Sequence, residues 1–182
     1  MAAWVGTLCD VDDLIEAMSP SDAASAISGS LAILQDEVGN SMEASGISSI
    51  KKVINAMQMF RDHCRRYLSK PEAKDFFDEV CTAFEGFSFE LELRQKALAS
   101  SLETYIDIRT RTIGVAPFFN LIKSEYSPGY HVDDSLEMQR DVYTVVGLQN
   151  DLIGLEKDIE TGGAPLYTPC KAPDRKRAKM LR

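Results

Sequence analysis

Apolar residues recur along nearly the whole chain at intervals of three and four, the spacing of a helix face, and almost nowhere at intervals of two. The first such stretch covers residues 2–18 and stops at Ser19-Pro20. Ser21 or Asp22 is placed to cap the next, which runs to about Gly39. Residues 40–46 read as a loop. Residues 47–68 follow, with Ile50, Val53, Ile54, Met57 and Phe60 on one face. Pro71 suits the first turn of a helix reaching about Phe84, and another is expected from Ser88 to about Arg111. The pattern breaks at Thr112-Ile113-Gly114-Val115-Ala116-Pro117, resumes to Glu125 and turns at Ser127-Pro128-Gly129. A last long helix starts near Asp133 or Asp134 and ends near Thr161-Gly162-Gly163. No strand and no internal repeat stands out, so the expected class is an all-α bundle.

The character changes after position 162. Gly163-Ala164-Pro165, then Pro169, Pro173 and Arg175-Lys176-Arg177, read as an irregular basic tail. The division expected is therefore a helical domain over 1–162 and a tail over 163–182. Residues 171–182 hold six basic side chains against one acidic, while the whole chain of 182 residues carries a net charge of −8. The body is thus strongly acidic, which argues against nucleic acid as a partner. It leaves a phosphorylated substrate open if metal ions lie between. Apolar residues make up 45% and charged residues 26%, a soluble globular balance, and no apolar run approaches the ~20 residues of a membrane span. The start, Met1-Ala2-Ala3-Trp4, lacks a basic region and meets acid by Asp10, so no signal peptide is expected. Cys9, Cys64, Cys81 and Cys170 are scattered without a CxxC pair, so a reduced, cytoplasmic setting is expected.

Two acidic clusters carry the candidate chemistry. On a helix, Asn150 and Asp158 lie two turns apart on roughly one face, with Asp151 and Lys157 flanking them. Near the other end, Asp12 and Glu16 of Asp12-Asp13-Leu14-Ile15-Glu16 share a face, while Asp13 turns aside by about 100°. Magnesium takes hard oxygen donors, commonly one or two carboxylates together with phosphate oxygens. Acidic clusters on separate helices are what a magnesium–diphosphate site needs. Either cluster alone also fits a solvated helix with charge pairs.

Taken together, the segments resemble class I terpene synthases, in particular the fungal sesquiterpene cyclases. Asp12-Asp13-Leu14-Ile15-Glu16 is similar to their aspartate-rich DDxxD/E motif. Asn150-Asp151-x-x-Gly154-x-x-Lys157-Asp158 is similar to their NDxxSxxxE motif. Between them, residues 105–117 look like the family's Y-x-x-x-R-R-x-T-x-G-x-x-P segment. The resemblance covers about residues 1–162 and implies the following roles. Asp12, supported by Asp13 and Glu16, would bind Mg2+, and Asn150, position 154 and Asp158 would hold another. Arg109 and Lys157 would contact diphosphate, with Arg111 as the alternative sensor. Gly114 would mark a helix break that aims a backbone carbonyl at the substrate. The implied activity is a carbon–oxygen lyase of isoprenoid biosynthesis that ionises a linear prenyl diphosphate, farnesyl diphosphate first among the candidates, and cyclises the cation. Phe60, Phe84, Phe87, Phe89, Phe118 and Phe119 are candidate liners of an apolar cavity or, for most of them, core.

The chain departs from that pattern in four ways. Gly154 replaces a hydroxyl ligand, Asp158 is one methylene shorter than glutamate, and Thr110 replaces an arginine. It also begins on the helix of the first motif and stops soon after the second, so a truncated form is expected. The alternative expectation is a catalytically inactive helical protein that binds diphosphate or a protein partner only, with exposed helix faces favouring a homo-oligomer. A prenyltransferase would want aspartate-rich motifs at both sites, which the Asn150 cluster disfavours.

Overall fold

The structure is a computed structural model and describes residues 2–35, 48–96, 101–126 and 133–161. Those residues form seven α-helices: α1 (Ala2–Glu16), α2 (Pro20–Leu34), α3 (Ser48–Tyr67), α4 (Lys70–Lys96), α5 (Leu102–Thr112), α6 (Ala116–Tyr126) and α7 (Asp133–Thr161). No strand occurs among the described residues, and the all-α expectation holds. The predicted loop at 40–46, the turn at 127–129 and the basic tail at 163–182 lie outside the described residues.

Local chemistry sets three of the helix starts. Ser19, rather than Ser21 or Asp22, caps α2 by accepting from the Asp22 backbone N–H at 3.3 Å. At the head of α4 the Glu72 carboxylate accepts from the Ser69 backbone N–H at 2.9 Å, as the third helical residue does in a capping box. Ser101 caps α5 through the Thr104 N–H at 3.1 Å.

One predicted boundary is corrected. Residues 71–84 and 88–111 were expected as separate helices, but α4 runs unbroken from Lys70 to Lys96 and the next helix starts at Leu102. Gly86, which suggests a break in sequence, is buried where α4 meets α5. A Cβ there would stand 2.9 Å from Thr112 Cγ2 and 3.0 Å from Arg111 Cβ, so the missing side chain lets the two helices touch. The predicted break at 112–117 is real: α5 ends at Thr112 and α6 starts at Ala116.

The core lies between α1, α2, α3 and α4. It gathers Trp4, Val11, Ile27, Val53, Met57, Phe60, Phe76, Val80 and Phe84, all nearly inaccessible to water. Of the aromatic candidates, Phe60, Phe84 and Phe87 are core, Phe118 packs against the core and Phe89 is 43% exposed. α4 also carries α5 and α6 on its other side, and α7 docks mainly on α5. This arrangement places α5 against both α4 and α7, and the end of α1 reaches α4 through the Glu16–Arg94 pair. No helix among the described residues is long and apolar enough to cross a membrane.

Candidate metal and diphosphate site

Trp4, Val11 and Ile15 are buried and fix how α1 is rotated. That rotation leaves Asp12 partly covered at the margin of the core, Glu16 exposed beside it one turn on, and Asp13 turned to solvent. Burial is the main reason the Asp12 carboxyl is pushed up from its ordinary value to about 7. The nearby charges of Glu16, Glu90 and Asp13 push the same way, and Arg109 opposes them.

Glu90, on α4, was not singled out from the sequence. Burial raises its pKa, Glu16 adds to the rise, and Arg94 and Arg109 oppose it. The Arg94 guanidinium pairs with Glu90 at 2.5 Å and reaches Glu16 at 3.4 Å. Asp12, Glu16, Glu90 and Arg94 line a cleft of about 240 Å³ closed on its apolar side by Ile15 and Phe87. A carboxylate within the apolar run Phe87-Ser88-Phe89-Glu90-Leu91 was the available signal, since such a group is rarely half-buried without a partner.

Arg109 links this cluster to the last helix. Its Nη2 lies 2.6 Å from Asp151 Oδ1 and its Nε donates to Asp151 Oδ2 at 3.0 Å, a two-pronged pair that fixes the guanidinium plane. Nη1 donates to Thr112 Oγ1 at 3.1 Å. The Tyr105 hydroxyl donates to Asp151 Oδ2, and burial first, then that bond to Asp151, pushes its pKa up to about 12. Arg111 points elsewhere: it pairs with Asp107 at 3.1 Å on the same helix, about half exposed. Arg109, and not Arg111, is thus the α5 arginine whose charge acts on Asp12 and Glu90.

Gly114 has φ of 67°, the left-handed region that favours glycine. A Cβ there would also overlap Leu8 Cδ2 and press on the Trp4 ring. Its carbonyl accepts from Trp4 Nε1 at 2.7 Å in a buried setting, so one lone pair of that oxygen is already used. On α7, Asn150 is exposed and Gly154 partly covered. The side chains of Lys157 and Asp158 lie outside the described residues.

The arrangement therefore brings together Asp12, Glu16, Glu90 and Arg109, and joins them through Asp151 to the helix turn that carries Asn150. Three carboxylates at one cleft, one of them held half-protonated near neutrality, match a hard divalent cation in donor type and in demand for positive charge. Among the described residues, no three acidic, histidine or cysteine side chains already converge as a ligand set. Arg94 supplies the positive charge in that cleft instead.

Comparison with known proteins identifies the family. The profile of one family, "Terpene synthase family 2, C-terminal metal binding", matches residues 3–170. No curated protein and no solved structure matches the chain. With nearly its whole length matched, and the acidic, arginine and helix-break segments in place, the chain belongs to the metal-binding C-terminal terpene synthase family.

Proposed function

We propose that this chain is a magnesium-dependent class I terpene synthase of the sesquiterpene type, working in the cytoplasm on a linear prenyl diphosphate such as farnesyl diphosphate. Asp12, Asp13 and Glu16 would hold metal at the first acidic cluster, and Asn150 and Asp158 would hold it at the second. Arg109 and Lys157 hold diphosphate oxygens, with Arg111 further out. Magnesium, when bound, neutralises the diphosphate and the charge that builds on it as it leaves.

The observation that carries this reading is the position of Arg109. Its charge acts on Asp12 and Glu90, and its guanidinium is locked onto Asp151, next to Asn150. A guanidinium held in one plane between two acidic clusters is ready to take diphosphate oxygens without reordering. As the allylic carbon–oxygen bond breaks, its electron pair leaves with the diphosphate, and the positive charge remains on the prenyl chain. The break at Gly114 frees backbone carbonyls whose dipoles favour that charge, although Trp4 already uses one lone pair of Gly114's own.

The test is release of diphosphate from farnesyl diphosphate with analysis of the hydrocarbon formed. Turnover that needs Mg2+ and falls at least ~100-fold in Asp12→Ala and Asn150→Ala supports the proposal. Folded protein without turnover refutes it. That outcome fits a second reading, diphosphate binding without catalysis, which one observation favours: Gly154 offers no hydroxyl where the family's motif has a ligand.

A further inference from the structure

Phe87, Glu90, Leu91 and Arg94 stand at steps of three, one and three along α4, which puts them on one face of that helix. All four side chains line the cleft that Asp12 and Glu16 line from α1. Phe87 belongs to the core and Leu91 packs against it, so this face of α4 is fixed toward the cleft. Arg94 therefore differs from the paired lysines of the same helix. Lys74 with Asp78 and Lys96 with Glu92 are pairs one turn apart, and all four side chains are at least 59% exposed. Such solvated pairs hold little. The partner of Arg94 on its own helix, Glu90, is only 13% exposed. A single nitrogen, Arg94 Nη2, lies 2.5 Å from Glu90 Oε1 and 3.4 Å from Glu16 Oε1, and so joins carboxylates of two helices.

Glu16 and Glu90 are two of the three carboxylates at this cleft that suit a hard divalent cation. A guanidinium and such a cation satisfy the same oxygens, and their like charges keep both from doing so at once. The two legs of the Arg94 contact differ in strength. Glu16 is 54% exposed and its pair with Arg94 is long, so that leg is given up at little cost. Glu90 is the anchor. Left alone in its mostly buried place, its charge would be uncompensated, so the guanidinium leaves only as another cation arrives. Arg94 has the freedom to leave. At 45% exposed, its head can turn into water through its own side-chain torsions while its stem and α4 stay where they are.

We propose that Arg94 competes with Mg2+ for Glu16 and Glu90, so that metal enters the cleft by exchange with this guanidinium and Arg94 sets how tightly it is held. This rests on the metal and diphosphate reading above and adds to it a positioning residue that lies outside the sequence motifs. Calorimetric titration of the folded chain with Mg2+ alone tests it. Arg94→Gln should bind Mg2+ at least ~10-fold more tightly than the unaltered chain, with unchanged helical circular dichroism. Arg94→Lys keeps the charge but loses the guanidinium's reach, and should fall between the two. Lys96→Gln removes the same charge from the same helix, outside the cleft, and should shift the affinity less than ~2-fold. Binding measurable in Arg94→Gln but too weak to measure in the unaltered chain supports the exchange equally. Equal or weaker binding by Arg94→Gln overturns it, and if Asp12→Ala abolishes that binding the metal site itself still stands. An equal gain from Lys96→Gln overturns it as well, since overall charge would then be the cause. No Mg2+ binding by any of these proteins overturns both the exchange and the metal site. Loss of helical signal in both Arg94 variants also overturns the exchange, because the guanidinium would then be a fixed strut between α1 and α4.

Discussion

Replacing Asp12 by asparagine should make the metal-free protein more stable at pH 8, even while it disables the site. Ionised Asp12 sits half-buried beside Glu16 and Glu90, and its carboxyl is raised from 3.8 to about 7. At about 1.4 kcal/mol per unit, holding it ionised costs on the order of 4 kcal/mol. The sign follows from linkage. A raised carboxyl favours the folded state fully below pH 4, and that advantage is lost as pH climbs from about 4 to about 7. Asparagine keeps the shape and never ionises. Asp12→Asn should therefore match the parent near pH 4 and exceed it at pH 8 by about 2–4 kcal/mol, or on the order of 5–10 °C in Tm. Thermal unfolding followed by circular dichroism across pH 4–8 measures this. Added Mg2+ should raise the parent's Tm at pH 8 and leave that of the variant nearly unchanged, and its effect on the parent should fade as pH falls below about 7. A variant that is less stable than the parent at pH 8 would refute the picture of an Asp12 carboxylate strained mainly by burial and further by its acidic neighbours.

Three other substitutions probe the frame around the site. Gly86→Ala places a methyl 2.9 Å from Thr112 Cγ2, so it should lower stability by about 1–3 kcal/mol in urea unfolding, despite alanine's better helix propensity. Trp4→Phe removes the buried donor to the Gly114 carbonyl and should cost about 1–3 kcal/mol, read by the same method. Arg109→Lys keeps the charge but loses the two-pronged grip on Asp151; kcat should drop at least ~10-fold with the fold intact, by steady-state diphosphate release and circular dichroism.

Helical content, the break at Gly114 and the shared face of Asp12 and Glu16 were legible because each is written in local spacing. The α4 boundary was not. A glycine that ends a helix and one that admits a neighbouring helix look alike in sequence, and Gly86 is the second kind, known only once Thr112 is seen against it. Glu90 and Arg94 were missed for a related reason: four residues apart on α4 they read as a surface pair, and their place in the site depends on α1 lying alongside. Asp151 was read as a flanking acid of the Asn150 cluster. Its pairing with Arg109 spans 42 positions of chain, and the Trp4 bond to Gly114 spans 110. Spacing along one helix says nothing about either.

The central claim is that Asp12, Arg109 and the Asn150 turn form one site for metal and diphosphate. Calorimetric titration of the folded chain with inorganic diphosphate in Mg2+ tests it most directly, since it needs no turnover. Binding should require Mg2+ and weaken at least ~10-fold in each of Asp12→Ala, Arg109→Ala and Asn150→Ala. Diphosphate that binds equally without Mg2+, or that is indifferent to all three substitutions, would contradict the account.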